Sequence, residues 1–223
     1  MSGPKKLRVG ILFGGRSGEH EVSLASAASV IRALDPEKYE AVPIGITKEG
    51  RWLAGAGAQK LLSDVLKTGE RVVLPADPSA ASLLPVASAA TQDGSHGIHV
   101  DVMFPVLHGT FGEDGTVQGL LELAGLPYVG AGVLASSVGM DKDVQKRLFE
   151  YAKLPIVPFV AISRNEWEHE PKRTLAEIQK ALRYPLFVKP ATLGSSVGMT
   201  RVAKLKELPA ALNLAAEFAL KII

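Results

Sequence analysis

The chain has 223 residues, 47% hydrophobic and 22% charged, the composition of a soluble globular protein with one large domain or two modest ones. Its 25 Lys and Arg against 23 Asp and Glu leave a formal net charge of +2 with no basic block, which argues against a nucleic-acid partner. Cysteine is absent, which excludes disulfides, zinc-thiolate sites and a thiolate nucleophile and fits a cytoplasmic protein.

In chain order, Leu7 to Phe13 reads as a buried first strand, too short for a signal peptide core and followed at once by Gly14-Gly15. No apolar run reaches the ~18 residues of a membrane span, so no membrane association is expected. A helix follows, with Leu24, Ala27, Ala28, Ile31 and Leu34 on its inner face, broken at Asp35-Pro36. Tyr39 to Thr47 is a second strand, with a turn at Lys48-Glu49-Gly50. Pro75 to Gly97, rich in Ala, Ser and Pro, reads as a surface excursion without function. Val100 to Leu107 restores a strand, before a helix with Val117, Leu120, Leu121 and Ala124 on one side that closes at Gly125 and Pro127. This alternation predicts an α/β fold, an open and mostly parallel sheet over residues 1–130. Such sheets bind ligands beyond the carboxyl ends of their strands, where GGRSGEHE and HGTFGEDG stand.

Residues 131–223 form a second, α+β region. Asp141-Lys142 opens a helix with Val144, Leu148 and Ala152; then come a strand over Ile156 to Ile162, a helix with Leu175, Ile178 and Leu182, and a hairpin of strands Leu186 to Pro190 and Met199 to Ala203. A last helix carries Leu208, Leu212 and Ala215. The hairpin loop Gly194-Ser195-Ser196-Val197-Gly198 can bend its backbone into a concave nest of N–H groups, with Lys189 as a point charge beside it. From composition alone, a phosphate loop and a plain surface turn both remain open. Gly14-Gly15-x-x-Gly18 has the glycines of a dinucleotide loop, but no acidic residue closing a second strand supports that. His96 and His99 have metal-ligand spacing yet lie in a Gly-bearing loop; with His20 and His169 they read as solvated or structural.

Taken together and in order, GGRSGEHEVSLASA, PVLHGTFGEDGTVQGLLELAGLPYVG, MDKDVQKRLF and FVKPATLGSSVGM closely resemble D-alanine-D-alanine ligases, ATP-grasp enzymes of peptidoglycan precursor synthesis. The likeness covers the chain except its last residues, AEFALKII. It implies ATP-dependent joining of two D-alanines through an acyl phosphate, with ATP and Mg²⁺ or Mn²⁺ as cofactors and a homodimer as the assembly. Glu19 matches the glutamate that holds the first D-alanine's ammonium, and its other reading is a carboxylate stabilised at a helix N-terminus. His108, in the HGxxGEDG pattern, matches the substrate-pocket histidine, while Ser23 is a network residue. Lys142 and Lys189 match the lysines on the ATP α- and β-phosphates. Ser195 matches the loop serine linked to Glu19, and Ser196 and Val197 offer N–H groups to the terminal phosphate.

The family pattern continues past Ile223 with an adenine-hinge glutamate, a lysine-bearing loop, an oxyanion arginine and the Asp, Glu and Asn ligands of two Mg²⁺ ions. No metal ligand is therefore expected within these residues, and the ATP-grasp region is expected to be incomplete. The implied protein is a ligase represented by its N-terminal and central portion. The alternatives are a non-catalytic piece that binds a small amino acid or partner subunit, and a D-alanine-D-hydroxy acid ligase.

Overall fold

In the computed structural model, residues 5–55, 62–80, 82–86 and 97–223 are described. They belong to two compact units, residues 1–135 and 136–223.

The first unit begins with β1 (Leu7–Gly14), helix α1 (His20–Ala33) and β2 (Tyr39–Ile46). It continues through β3 (Trp52–Ala54), α2 (Leu62–Thr68), β4 (Glu70–Val73), β5 (Ser82–Pro85), β6 (Ile98–His99), β7 (Val102–Pro105) and α3 (Thr116–Leu123). The strands form one sheet in the order β6-β5-β4-β3-β2-β1-β7. β1 lies between β2 and β7 and is apolar and buried from Val9 to Phe13 because both faces are covered there. Val9, Ile11 and Phe13 pack with Ala27 and Val65 of α1 and α2, whereas Leu12 packs with Met103, Val117 and Leu121 on the other face. Each of these side chains larger than alanine contributes about 1.5–3 kcal/mol on burial.

Parallel pairing holds where the sequence predicts βαβ units, between β1 and β2 and between β1 and β7. From β2 outward the pairing is antiparallel through β3, β4, β5 and β6. The short turn Thr47–Gly50, closed by Gly50 N–H to Thr47 O, makes β2 and β3 a hairpin rather than a crossover. The expected surface excursion is corrected over residues 82–85, which form β5 and bury Leu83 completely. Its remaining stretch 87–96, with His96, lies outside the described residues.

After α4 (Val133–Met140), the second unit holds α5 (Lys142–Tyr151), β8 (Ile162–Ser163), α6 (Arg164–His169), α7 (Pro171–Ala181), β9 (Leu186–Val188), β10 (Thr200–Val202), α8 (Leu208–Phe218) and β11 (Lys221–Ile222). β9 and β10 form the expected antiparallel hairpin. β11 pairs with β8 and is joined to the end of β9 by reciprocal Lys189 and Ile223 backbone bonds of 2.9 Å. The predicted strand from Ile156 shrinks to Ile162–Ser163. Pro158 has no N–H to give a ladder and Val157 is 74% exposed, so the run before Ile162 pairs with no strand. The unit's core gathers Ile162, Trp167, Ile178, Val188, Leu208 and Leu212.

Candidate functional site

β1 and β7 are parallel neighbours, so the loops leaving their carboxyl ends lie side by side. Gly14 and Gly15 turn the chain sharply after β1, at φ 88° and 97°. A Cβ on Gly14 would fall 2.3 Å from the Ile46 carbonyl oxygen, so only glycine fits. The fully buried Ser23 accepts from the Gly14 N–H at 2.9 Å and donates to the Val106 carbonyl, as befits a network residue. Ser17 Oγ donates to the His108 carbonyl at 2.6 Å and accepts from the Glu19 N–H at 3.2 Å. These bonds draw GGRSGEHE and LHGTFGEDG into one site.

Glu19 stands at the N-terminus of α1, but its side chain makes no capping hydrogen bond. Its carboxylate lies against Gly109 instead, where a Cβ would meet Oε2 at 2.8 Å. Glu19 and His108 are thus brought together, both half-buried. His108 Nε2 is 3.0 Å from Ser26 Oγ, and Nδ1 is 3.9 Å from Glu113 Oε1. Glu113 accepts the Gly109 N–H at 2.7 Å, and Asp114 accepts from Phe111 and Thr116 at 2.8 and 3.0 Å. Burial pushes the Asp114 carboxyl up, but these N–H and hydroxyl bonds outweigh it and hold its pKa below the ordinary value. The acidic residues of HGTFGEDG therefore shape the loop. A cleft of about 240 Å³ adjoins it, lined by Trp52, Leu107, His108 and Phe111, with the Arg16 guanidinium 4.4 Å from the Phe111 ring centre.

The other histidines are elsewhere. His20 is buried with Nδ1 2.8 Å from the Gly15 carbonyl, His99 pairs with Asp101 at 3.1 Å, and His169 Nδ1 lies 2.9 Å from the Asn165 carbonyl.

In the second unit, Lys142, Lys146 and Lys189 converge. Lys142 opens α5, which Asp141 caps by accepting from Asp143 and Val144 at 3.0 and 3.2 Å. The Lys142 ammonium donates to the Leu193 carbonyl at 2.6 Å and more weakly to Ala191 at 3.4 Å. Burial and then the nearby Lys189 charge lower the pKa of Lys142, and the same two causes lower that of Lys146. Cations held this close stabilise a polyanion. Lys146 was not picked out from sequence, although its place one helical turn after Lys142 on α5 is the signal that could have found it. It donates to the Val157 carbonyl at 3.1 Å and lies 5.2 Å from the Phe159 ring centre. Beside Lys146 and Lys189 opens a cleft of about 640 Å³ walled by Val157, Phe159, Phe187 and Met199. A flat apolar ring with an anionic tail suits it.

The loop after Lys189 is tightly bent. Ser195 and Ser196 take φ 48° and 60°, Gly198 takes 67°, and all three residues Ser195 to Val197 are exposed. Val197 N–H donates to Gly194 O at 3.1 Å, so in this conformation it closes the turn rather than facing outward.

Comparisons with known proteins match both parts of the chain. Residues 8–131 match the family profile described as D-ala D-ala ligase N-terminus, and residues 148–223 match D-ala D-ala ligase C-terminus. The chain belongs to the D-alanine-D-alanine ligase family. It is 48% identical over 221 residues to a D-alanine-D-alanine ligase of Natranaerobius thermophilus, covering 97% of this chain and 59% of that protein. A Rhodococcus jostii relative of the same name is 50% identical over 215 residues, covering 92% and 55%. Among solved structures, the VanG D-Ala:D-Ser ligase of Enterococcus faecalis superposes with a TM-score of 0.85 at 38% identity, covering 98% of this chain and 62% of that one. The D-alanine-D-alanine ligase of Coxiella burnetii gives 0.83 at 32%, covering 97% and 60%. The chain thus spans about three fifths of the length of these family members. The ligase likeness runs through Ile223, which corrects the expectation that it ends before AEFALKII.

Proposed function

We propose that these residues supply the first amino-acid site and the phosphate grip of an ATP-dependent ligase that joins two D-alanines for peptidoglycan precursors. The observation that carries this reading is the Glu19 carboxylate seated against Gly109 beside His108, at the carboxyl ends of β1 and β7. A carboxylate there can hold an ammonium, and His108 can hydrogen-bond the adjoining carboxyl group. Lys142 and Lys189 bind the α- and β-phosphates of ATP, with Lys146 beside them, and the apolar cleft takes the adenine. Ser195 and Ser196 adjoin the transferred phosphate, with Val197 joining once its N–H turns outward.

In the reaction, a carboxylate oxygen of the first D-alanine bonds to the γ-phosphorus as ADP leaves. The amine of the second then attacks the activated carbonyl, losing a proton and expelling phosphate. The share of these residues is orientation and charge neutralisation. Mg²⁺ or Mn²⁺ belongs to the family chemistry, but the described residues contain no group of three or more His, Cys, Asp or Glu placed to hold a metal. No step is assigned to a metal on these residues.

No helix among the described residues is long and apolar enough to cross a membrane. A cytoplasmic setting and a homodimer follow from the family reading. Because a structural relative is described as a D-Ala:D-Ser ligase, a second substrate other than D-alanine is the competing reading.

Nucleotide titration of the chain tests the phosphate site. Lys189→Ala should weaken ATP binding roughly 10-fold or more, the worth of a charge-assisted hydrogen bond. Unchanged affinity would refute the assignment. D-alanine-dependent ADP release tests the ligase reading.

A further inference from the structure

We propose that Ser26 is a positioning residue that fixes which nitrogen of His108 carries the proton in the neutral imidazole, leaving Nδ1–H as a hydrogen-bond donor. The use of that donor toward an amino acid rests on the function proposed above; the protonation pattern itself does not.

Ser23 and Ser26 are one helical turn apart on α1 and address the same segment after β7: Ser23 donates to the Val106 carbonyl and Ser26 Oγ meets His108 Nε2 at 3.0 Å. The other nitrogen, Nδ1, faces the Glu113 carboxylate at 3.9 Å. That carboxylate is fixed by the Gly109 N–H. The Glu19 carboxylate also borders Gly109, and the Arg16 guanidinium of the same loop is turned onto Phe111. An ionised carboxylate only accepts hydrogen bonds. A bare Nδ1 would set its lone pair against Glu113, so the proton belongs on Nδ1. Nε2 must then accept, and the Ser26 hydroxyl is its donor. That hydroxyl has no other hydrogen-bond partner among the described residues. The Nδ1–H is left directed at the space beside Glu19, Gly109 and Glu113, as a donor for a carboxylate oxygen.

The test is a two-bond ¹H–¹⁵N correlation spectrum of the chain with ¹⁵N-labelled histidine, at about pH 8, above the ordinary imidazole pKa of about 6.5. His108→Gln identifies the His108 signals. Wild type should show Nδ1 protonated and Nε2 bare. Ser26→Ala should move His108 toward the Nε2–H form, and Ser26→Thr, which keeps the hydroxyl, should restore the original pattern. The native shifts of the other histidines report that each variant folds. An Nε2–H form in the wild type, or a His108 pattern unchanged in Ser26→Ala, overturns the proposal. The spectrum needs no substrate, so its outcome is independent of the ligase reading. In the active enzyme, Ser26→Ala should raise the D-alanine KM roughly 3- to 10-fold, as for loss of one neutral hydrogen bond, and leave the ATP KM unchanged.

Discussion

Gly109 shows how one residue can hold a site together. It takes φ 71°, and a Cβ on it would meet Glu19 Oε2 at 2.8 Å and Ser17 Cβ at 3.2 Å. Gly109→Ala should cost about 1–2 kcal/mol from the left-handed backbone alone. It should also displace the Glu19 carboxylate, so the D-alanine KM should rise well beyond what the stability loss explains. Chemical denaturation and steady-state kinetics on the same variant separate the two effects. Lys189 permits a signed pH statement. Burial and the Lys189 charge hold the Lys142 pKa below its ordinary value of 10.5. The Lys142 charge, and any affinity that depends on it, is lost as pH rises through that lowered pKa. In Lys189→Ala the loss should shift to higher pH, seen as a later alkaline decline in nucleotide affinity. At this scale the sequence singled out Glu19, His108, Lys142 and Lys189 because their surrounding motifs resemble the family's, each at a strand end, a helix start or a glycine turn. Ser17 and Ser26 stayed hidden, since a hydroxyl on a helix or turn shows no partner until β7 is laid beside β1.

Among the elements, α5 carries the clearest energetic test. Asp141 caps it and also pairs with Lys221 at 2.8 Å, while Lys221 reaches Asp143 at 3.1 Å. Burial pushes the Asp141 carboxyl up, but the Lys221 ammonium and the Val144 and Asp143 N–H groups hold it below its ordinary value of 3.8. A depressed carboxylate contributes stability that is present above pH 3.8 and lost as pH falls through the folded pKa. Asp141→Asn should keep the cap and lose the pairing, costing roughly 0.5–1 kcal/mol near neutrality for a partly exposed pair. The deficit should close in acid, which urea denaturation at two pH values measures. The elements legible beforehand were those with long patterns, β1, α1, β2, α3, α5, α7 and α8, together with the β9-β10 hairpin, whose short strands were marked by the Gly-Ser loop between them. The antiparallel extension from β3 to β6 was not, because strands of two to four residues carry too little alternation to register. β8 was overcalled for the converse reason, since an apolar run interrupted by Pro158 looks like a strand but lacks the donors to pair as one.

For the molecule as a whole, the two units each possess their own core. The nucleotide site proposed here lies wholly in the second. Saturation with ATP at 100 times its Kd should therefore add about 2.7 kcal/mol to the unfolding of that unit alone. Hydrogen exchange should slow in α5, β9 and α8 and stay unchanged in β1 and β2. Equal protection of the first unit would mean that nucleotide also contacts it or that the two unfold together.

The Lys142 ammonium, which rests on the Leu193 and Ala191 carbonyls, gives this chain a tether with two possible holders. On the nucleotide site proposed above, a phosphate oxygen would compete for the same N–H bonds, and an arriving nucleotide would take the lysine away from the backbone that leads into Gly194-Ser195-Ser196. The loop would thus be released at the moment its proposed ligand is present. Lys142→Met should mimic that release without any nucleotide, as faster amide exchange from Leu193 to Gly198.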